Sequence, residues 1–100
     1  MEERSKYEEK AHRLLDDLFN RFRSFEQRVK ATKDEVVDEF EETVDDLHNR
    51  ESDLRNKVNR MSEASTDAFE EIRDGFERSV DAFAEAFKRA RKKFDEDKSS

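Results

Sequence analysis

Stepping by eleven residues from Leu14 gives Phe25, Val36, Leu47, Val58, Phe69 and Val80, and all seven positions are apolar. With only 32% of the chain apolar, a chosen row of seven reaches that about three times in ten thousand by chance, which makes the row the primary structural signal. Three turns of α-helix take about 10.8 residues, so an eleven-residue (hendecad) repeat keeps one helix face nearly straight, with a slight right-handed drift. Flanking rows run through Tyr7, Leu18, Val29 and Phe40 early, and through Met61, Ile72, Phe83 and Phe94 late. The phrase "FEETV" at Phe40 returns as "FERSV" at Phe76, with a related "FEQRV" at Phe25. Each sets a Phe and a Val at i and i+4, neighbours on one helix face. The expected seam is Leu14, Leu18, Phe22, Phe25, Val29, Val36, Phe40, Val44, Leu47, Leu54, Val58, Met61, Phe69, Ile72, Phe76, Val80, Phe83, Phe87 and Phe94.

The rest of the composition agrees with helix. Proline is absent, Gly75 is the only glycine, and no stretch alternates in the manner of a strand, so tight turns and hairpins have little material. Charged residues make 49% of the chain, a balance that suits either a disordered polyelectrolyte or long helices burying a narrow stripe. Nine Phe residues favour the helices, because disordered segments are poor in aromatics. The fold class is therefore all-α, in a single domain over residues 1–100 with a frayed polar tail at 95–100. One helix of about 90 residues would extend about 135 Å and leave its Phe stripe in water, so the chain must fold back or associate.

Where it folds back is less sharply marked. "HNRESD", residues 48–53, puts six polar residues at the centre of the chain. It reads as a phase shift within a continuous helix or as a turn between two helices. "TKDE" at Thr32, with capping-box spacing to Glu35, and "SEAST" from Ser62 are secondary break points that would give three helices. Each coincides with a missing apolar residue in the seam. The lack of Gly and Pro near residue 50 tilts the balance toward continuous helices.

Charge is distributed in blocks. Residues 34–54 carry ten acidic residues and one arginine, whereas residues 1–33, 55–62 and 86–100 are net basic and residues 63–85 net acidic. A parallel, in-register pair would lay the acidic block along its own copy, which is destabilising. Reversing one copy about the centre of the chain brings Arg55, Lys57 and Arg60 near Glu41, Glu42, Asp45 and Asp46, and Lys88 to Lys93 near Glu8 and Glu9. The pattern favours an antiparallel arrangement, in a hairpin or between two chains alike. Exposed pairs contribute only about 0–1 kcal/mol each, so they select orientation more than they hold the assembly.

No catalytic constellation emerges. Cysteine is absent, which excludes disulfides and thiol chemistry. Glu9–His12 and Asp45–His48 have the carboxylate-x-x-His spacing of di-iron bundles, but repetition of the helix explains them, and no metal or other cofactor is expected. The acidic pairs Asp16–Asp17, Glu41–Glu42, Asp45–Asp46 and Glu70–Glu71 lack a pocket to shift their pKa or a calcium loop. An enzyme is not expected. A net charge of −7 makes nucleic acid a poor partner. The basic "KRARKKF", residues 88–94, could meet an anionic surface or an acidic protein, or could serve the negative end of its helix dipole. The charged start of the chain lacks the apolar run of a secretion signal, and a cytoplasmic location is expected.

The stretch "STDAFEEIRDGFERSVDAFAEAF", residues 65–87, resembles the Phe- and acid-rich helical repeats of gas-vesicle outer-coat proteins of halophilic archaea. The eleven-residue period is also similar to that of apolipoprotein-like helices. These resemblances imply an amphipathic helix lying on a protein shell or on lipid. The expectation from the seam itself is a structural or scaffolding protein that self-associates, antiparallel, through the Phe/Val/Leu face. A surface-coating helix and a small helical-hairpin adaptor or chaperone are the alternatives.

Overall fold

The structure, a computed structural model, describes the backbone of residues 2–99 and the side chains of residues 3–96. It is all-α, with three helices and no strand among the described residues. Helix α1 spans Glu2–Lys30, α2 spans Asp34–Glu63 and α3 spans Thr66–Ser99. At 1.5 Å per residue the 34 residues of α3 account for the longest dimension of the molecule, 51 Å, and the other two extents are 19 and 16 Å. The helices run up, down and up around one core. Phe25, Phe40 and Phe94 meet pairwise at ring-centroid distances of 5.6–6.2 Å, which puts the end of α1, the start of α2 and the end of α3 together. At the other end, Tyr7 meets Phe69 edge-on at 6.0 Å.

The chain turns at residues 31–33 and 64–65, and α2 runs unbroken through 48–53. The chain therefore breaks at the secondary points, "TKDE" and "SEAST", and "HNRESD", which reads as a phase shift or a turn, lies within a helix. The turns do without Gly and Pro because they need no special backbone. Lys33 (φ −66°, ψ 150°) and Ala64 (φ −77°, ψ 151°) are extended, a region open to every L-residue. Thr32 does not cap α2 as its spacing to Glu35 suggests; its hydroxyl donates to the Val29 carbonyl, closing α1 instead. Ser65 caps α3, its Oγ accepting from the Ala68 N–H at 3.4 Å. Residues 48–53 lie between the buried Leu47 and Leu54, and Glu51 sits at the edge of the seam with polar neighbours. Its side chain is 13% exposed and lies 3.7 Å from His48 and 3.6 Å from Arg55. In the tail the α3 backbone is helical to Ser99, and the side chains beyond residue 96 lie outside the described residues.

All nine Phe side chains are buried, together with Ala11, Leu15, Val29, Leu47, Leu54, Val58, Met61 and Ala90. Within each helix these residues follow a seven-residue spacing: Leu15, Phe22 and Val29; Phe40, Leu47, Leu54 and Met61; Phe69, Phe76, Phe83 and Ala90. Phe87 and Phe94 continue a second row four residues on from Phe83 and Ala90. Such alternating three- and four-residue steps are the pattern of helices packed as in a bundle. Eleven is one heptad plus a four-residue step, so an eleven-residue row can be drawn across this pattern by moving from one seam position to the other. Cations close the core from outside: Arg4, Arg28, Arg55, Arg91 and Lys93 lie 4.6–5.6 Å from the centroids of Phe69, Phe94, Phe19, Phe87 and Phe40. Their alkyl stems cover ring edges while the charges stay in water.

Two substitutions test this packing. A Cβ built on Gly75, inside α3, meets nothing within 4 Å, so Gly75→Ala should raise the unfolding free energy by about 0.5–1 kcal/mol. Phe40→Ala should lower it by about 3–5 kcal/mol. Urea unfolding followed by circular dichroism checks both, and a Gly75→Ala chain no more stable than the wild type would contradict the interior placement of that residue.

Candidate interaction surface

The expected seam residues divide by depth. Phe22, Phe25, Val29, Phe40, Leu47, Leu54, Val58, Met61, Phe69, Phe76, Phe83, Phe87 and Phe94 are buried. Leu18, Val36, Val44, Ile72 and Val80 are half-buried against the core. Leu14, the head of the eleven-residue row, is 41% exposed, because α1 turns Ala11, Leu15 and Phe22 inward and leaves position 14 at the edge. Leu15 and Phe19 are buried but fall off the row; the heptad step from Leu15 to Phe22 and Val29 is the sequence signal that finds Leu15.

Arg4 is the side chain that composition and period gave no reason to single out. Its guanidinium donates to the Met61 and Ala64 carbonyls at 2.7 Å each and lies 4.6 Å from the Phe69 ring centroid. It thereby adds a second donor to the Met61 carbonyl, which also accepts from the Ala64 N–H at 3.4 Å, satisfies the Ala64 carbonyl just past α2, and ties the start of α1 to both other helices. Nearby, the Tyr7 hydroxyl donates to Glu77 at 2.9 Å. Burial, followed by this bond to a carboxylate, raises the tyrosine pKa well above its ordinary value.

The two histidines differ in setting. His48 is stacked edge-on against Phe22 at 4.8 Å and lies 3.0 Å from Glu26 across the α1–α2 contact; it does not pair with Asp45. His12 is exposed. Among the described residues no three His, Cys, Asp or Glu side chains are grouped as metal ligands would be. Among the described residues no helix is long and apolar enough to cross a membrane.

Between helices the pairs follow the three-helix topology and not reversal about the centre of the chain. Arg28 meets Asp95 at 3.6 Å and Lys93 meets Glu39 at 3.4 Å. Consecutive helices are antiparallel while α1 and α3 run parallel, and within the chain the pairings expected from one central reversal do not form, because the chain reverses twice.

The surface feature with a distinct chemistry is the groove between α1 and α3, on the side away from α2. Toward the N-terminal ends of these helices it is apolar with a rim of mixed charge, where Tyr7, Ala11, Leu14, Phe76 and Val80 are flanked by Lys10, Glu77 and Asp81. Toward the C-terminal ends it becomes basic. Arg21, Ser24 and Arg28 of α1 face Arg91 of α3 over Phe25 and Phe87, around a recess of about 320 Å³. Lys88 and Lys92 extend the positive charge along α3 beside Arg91, with Asp95 and Glu96 lining the C-terminal side of the same recess. Arg21 and Arg28 each have a carboxylate nearby, Asp17 at 3.3 Å and Asp95 at 3.6 Å. Among the described residues no carboxylate lies within 4.0 Å of the Arg91 guanidinium.

Comparison of the chain with protein-family models, curated proteins and solved structures finds no match.

The His48–Glu26 contact predicts a pH dependence. The hydrogen bond from His48, aided by its charge and by Lys30, holds the Glu26 carboxyl below its ordinary value of 4.5, against the upward push of burial. A carboxyl lowered in the folded state contributes stability that is complete above its unfolded pKa and is lost as pH falls through the folded one. Glu26→Gln should therefore be less stable than the wild type at neutral pH, with the difference closing below pH 4.5. Urea midpoints across a pH series check this, and a difference that persists unchanged to about pH 3 would contradict it.

Proposed function

We propose that this chain is a non-catalytic protein-binding module, and that the basic half of the α1/α3 groove is its docking surface for an acidic helical partner. The observation that carries the reading is the convergence of Arg21, Arg28 and Arg91 from two helices over an aromatic floor, with Ser24 between them. Helix C-terminal dipoles attract cations only within the last turn. That accounts for Arg28 and Lys30 at the end of α1, but not for Lys88 to Lys93, which precede the final turn of α3. Arginine forks suit carboxylates, and a recess between two helices suits a third helix laid along it.

Assembly through the Phe seam is set aside by this reading, since the nine rings already pack between three helices of one chain. Coating of lipid or of a protein shell would require the bundle to open and release those rings.

A synthetic helical peptide with Glu at three- and four-residue intervals, titrated by fluorescence anisotropy, tests the proposal. Binding at about 50 mM salt should weaken at least tenfold at about 500 mM. It should also weaken at least fivefold in Arg91→Gln, with the melting temperature of that variant near the wild type. A peptide with Lys in place of Glu binding equally well would contradict the reading.

A further inference from the structure

The charge pattern names a partner for this groove, and the inference rests on the groove being a docking surface. At the same end of the bundle, residues 34–46 of α2 hold eight carboxylates and no lysine or arginine. Asp34, Asp38, Glu42 and Asp45 recur at steps of four, four and three, which lines them along one face of a helix. That face is exposed and points away from Phe40 and Leu47, which are buried against α1 and α3. Among the described residues none of these four carboxylates lies within 4.0 Å of a cationic side chain. The positive dipole end of α2 explains Asp34 and Glu35 in its first turn but not the acids that follow for two further turns.

We infer that the occupant of the basic groove is the acidic face of α2 from a second copy of this chain. The two surfaces overlap in level along the bundle. From Asp34 to Asp45 the stripe runs about 16 Å, and from Arg21 to Arg28 the groove runs about 10 Å. Lys93 meets Glu39 and Arg28 meets Asp95, so the stripe and the groove lie at the same height in the bundle. A neighbour placed alongside, without sliding or inversion, brings Asp34, Asp38, Glu42 and Asp45 opposite Arg21, Arg28, Lys88 and Arg91. Like-signed faces oppose the alternatives, because two grooves or two stripes brought together repel.

The faces lie on opposite sides of the bundle, so two copies cannot satisfy both in one contact. The interface is head-to-tail and open, and it extends to further copies unless the rotation between neighbours closes a ring. Association of this kind depends on exposed charge, and so on salt.

The test uses two full-length variants. One neutralises the stripe, Asp38→Asn with Glu42→Gln and Asp45→Asn; the other neutralises the groove, Arg21→Gln with Arg28→Gln and Arg91→Gln. In sedimentation equilibrium at about 20 mM salt, the wild type should exceed twice its 12.0 kDa monomer mass as concentration rises, and return to the monomer at about 500 mM. Each variant alone should stay at 12.0 kDa. Their equimolar mixture should stop at a dimer, since each supplies one intact face. Should the groove variant fail to fold, the exposed pair Lys88→Gln and Lys92→Gln serves in its place, with association weakened at least threefold. A wild type that stays monomeric at low salt overturns the inference, as do variants that associate like the wild type or a mixture that forms no dimer. A monomeric wild type that still binds the acidic peptide overturns this inference alone; a chain that binds neither overturns the docking reading as well. Binding of the monomer to phosphatidylserine vesicles through Arg91, without self-association, would assign the groove to lipid and also overturn it.

Discussion

Everything in this molecule depends on nine phenylalanines finding one another inside a single 100-residue chain. A domain this small and this charged has few apolar side chains to bury, and large flat rings remove the most surface from water per residue. Edge-on contacts link Phe19, Phe22, Phe25, Phe40, Phe83, Phe87 and Phe94 into one connected group spanning all three helices. Three helices are sufficient to enclose them, and the cations stacked over outer rings complete the enclosure. The high charge content is thus compatible with a packed core and contributes to its covering.

Helical class and most of the core were legible because apolar period survives any arrangement of the helices. Phe40, Leu47, Leu54 and Met61 would face a partner in a long rod as they face one in a bundle. The break points were harder to rank. A turn made of extended Lys33 and Ala64 carries no compositional mark, while "HNRESD" looks like a loop yet lies inside α2 between the buried Leu47 and Leu54. Leu14 lies at the edge of the bundle because an eleven-residue row tracks a straight face, whereas the buried residues follow heptads. Arg4 could not have been found: its role as a donor to the end of α2 exists only once residues sixty apart in sequence are brought together.

Charge behaves at two levels. Within helices, pairs such as Arg50–Asp46 at 2.9 Å and Lys57–Asp53 at 2.6 Å are local i, i+4 contacts that add a few tenths of a kcal/mol each, by about the usual amount for such pairs. Over longer distances the blocks sort onto faces, with the acidic first half of α2 on one side and the basic second halves of α1 and α3 on the other. The antiparallel preference in the blocks reflects this sorting, in a chain that reverses twice. A candidate binding groove became visible only with the fold, because Arg21, Arg28 and Arg91 are separated by a whole hairpin in sequence.

The central claim is that one chain closes its own Phe core. Small-angle X-ray scattering with in-line light scattering at about 500 mM salt, where exposed-charge contacts are screened, tests it most directly. The account predicts a 12.0 kDa particle with a longest dimension little above the 51 Å of the bundle. A multiple of that mass with a length near 135 Å, the span of about 90 residues in unbroken helix, would contradict it.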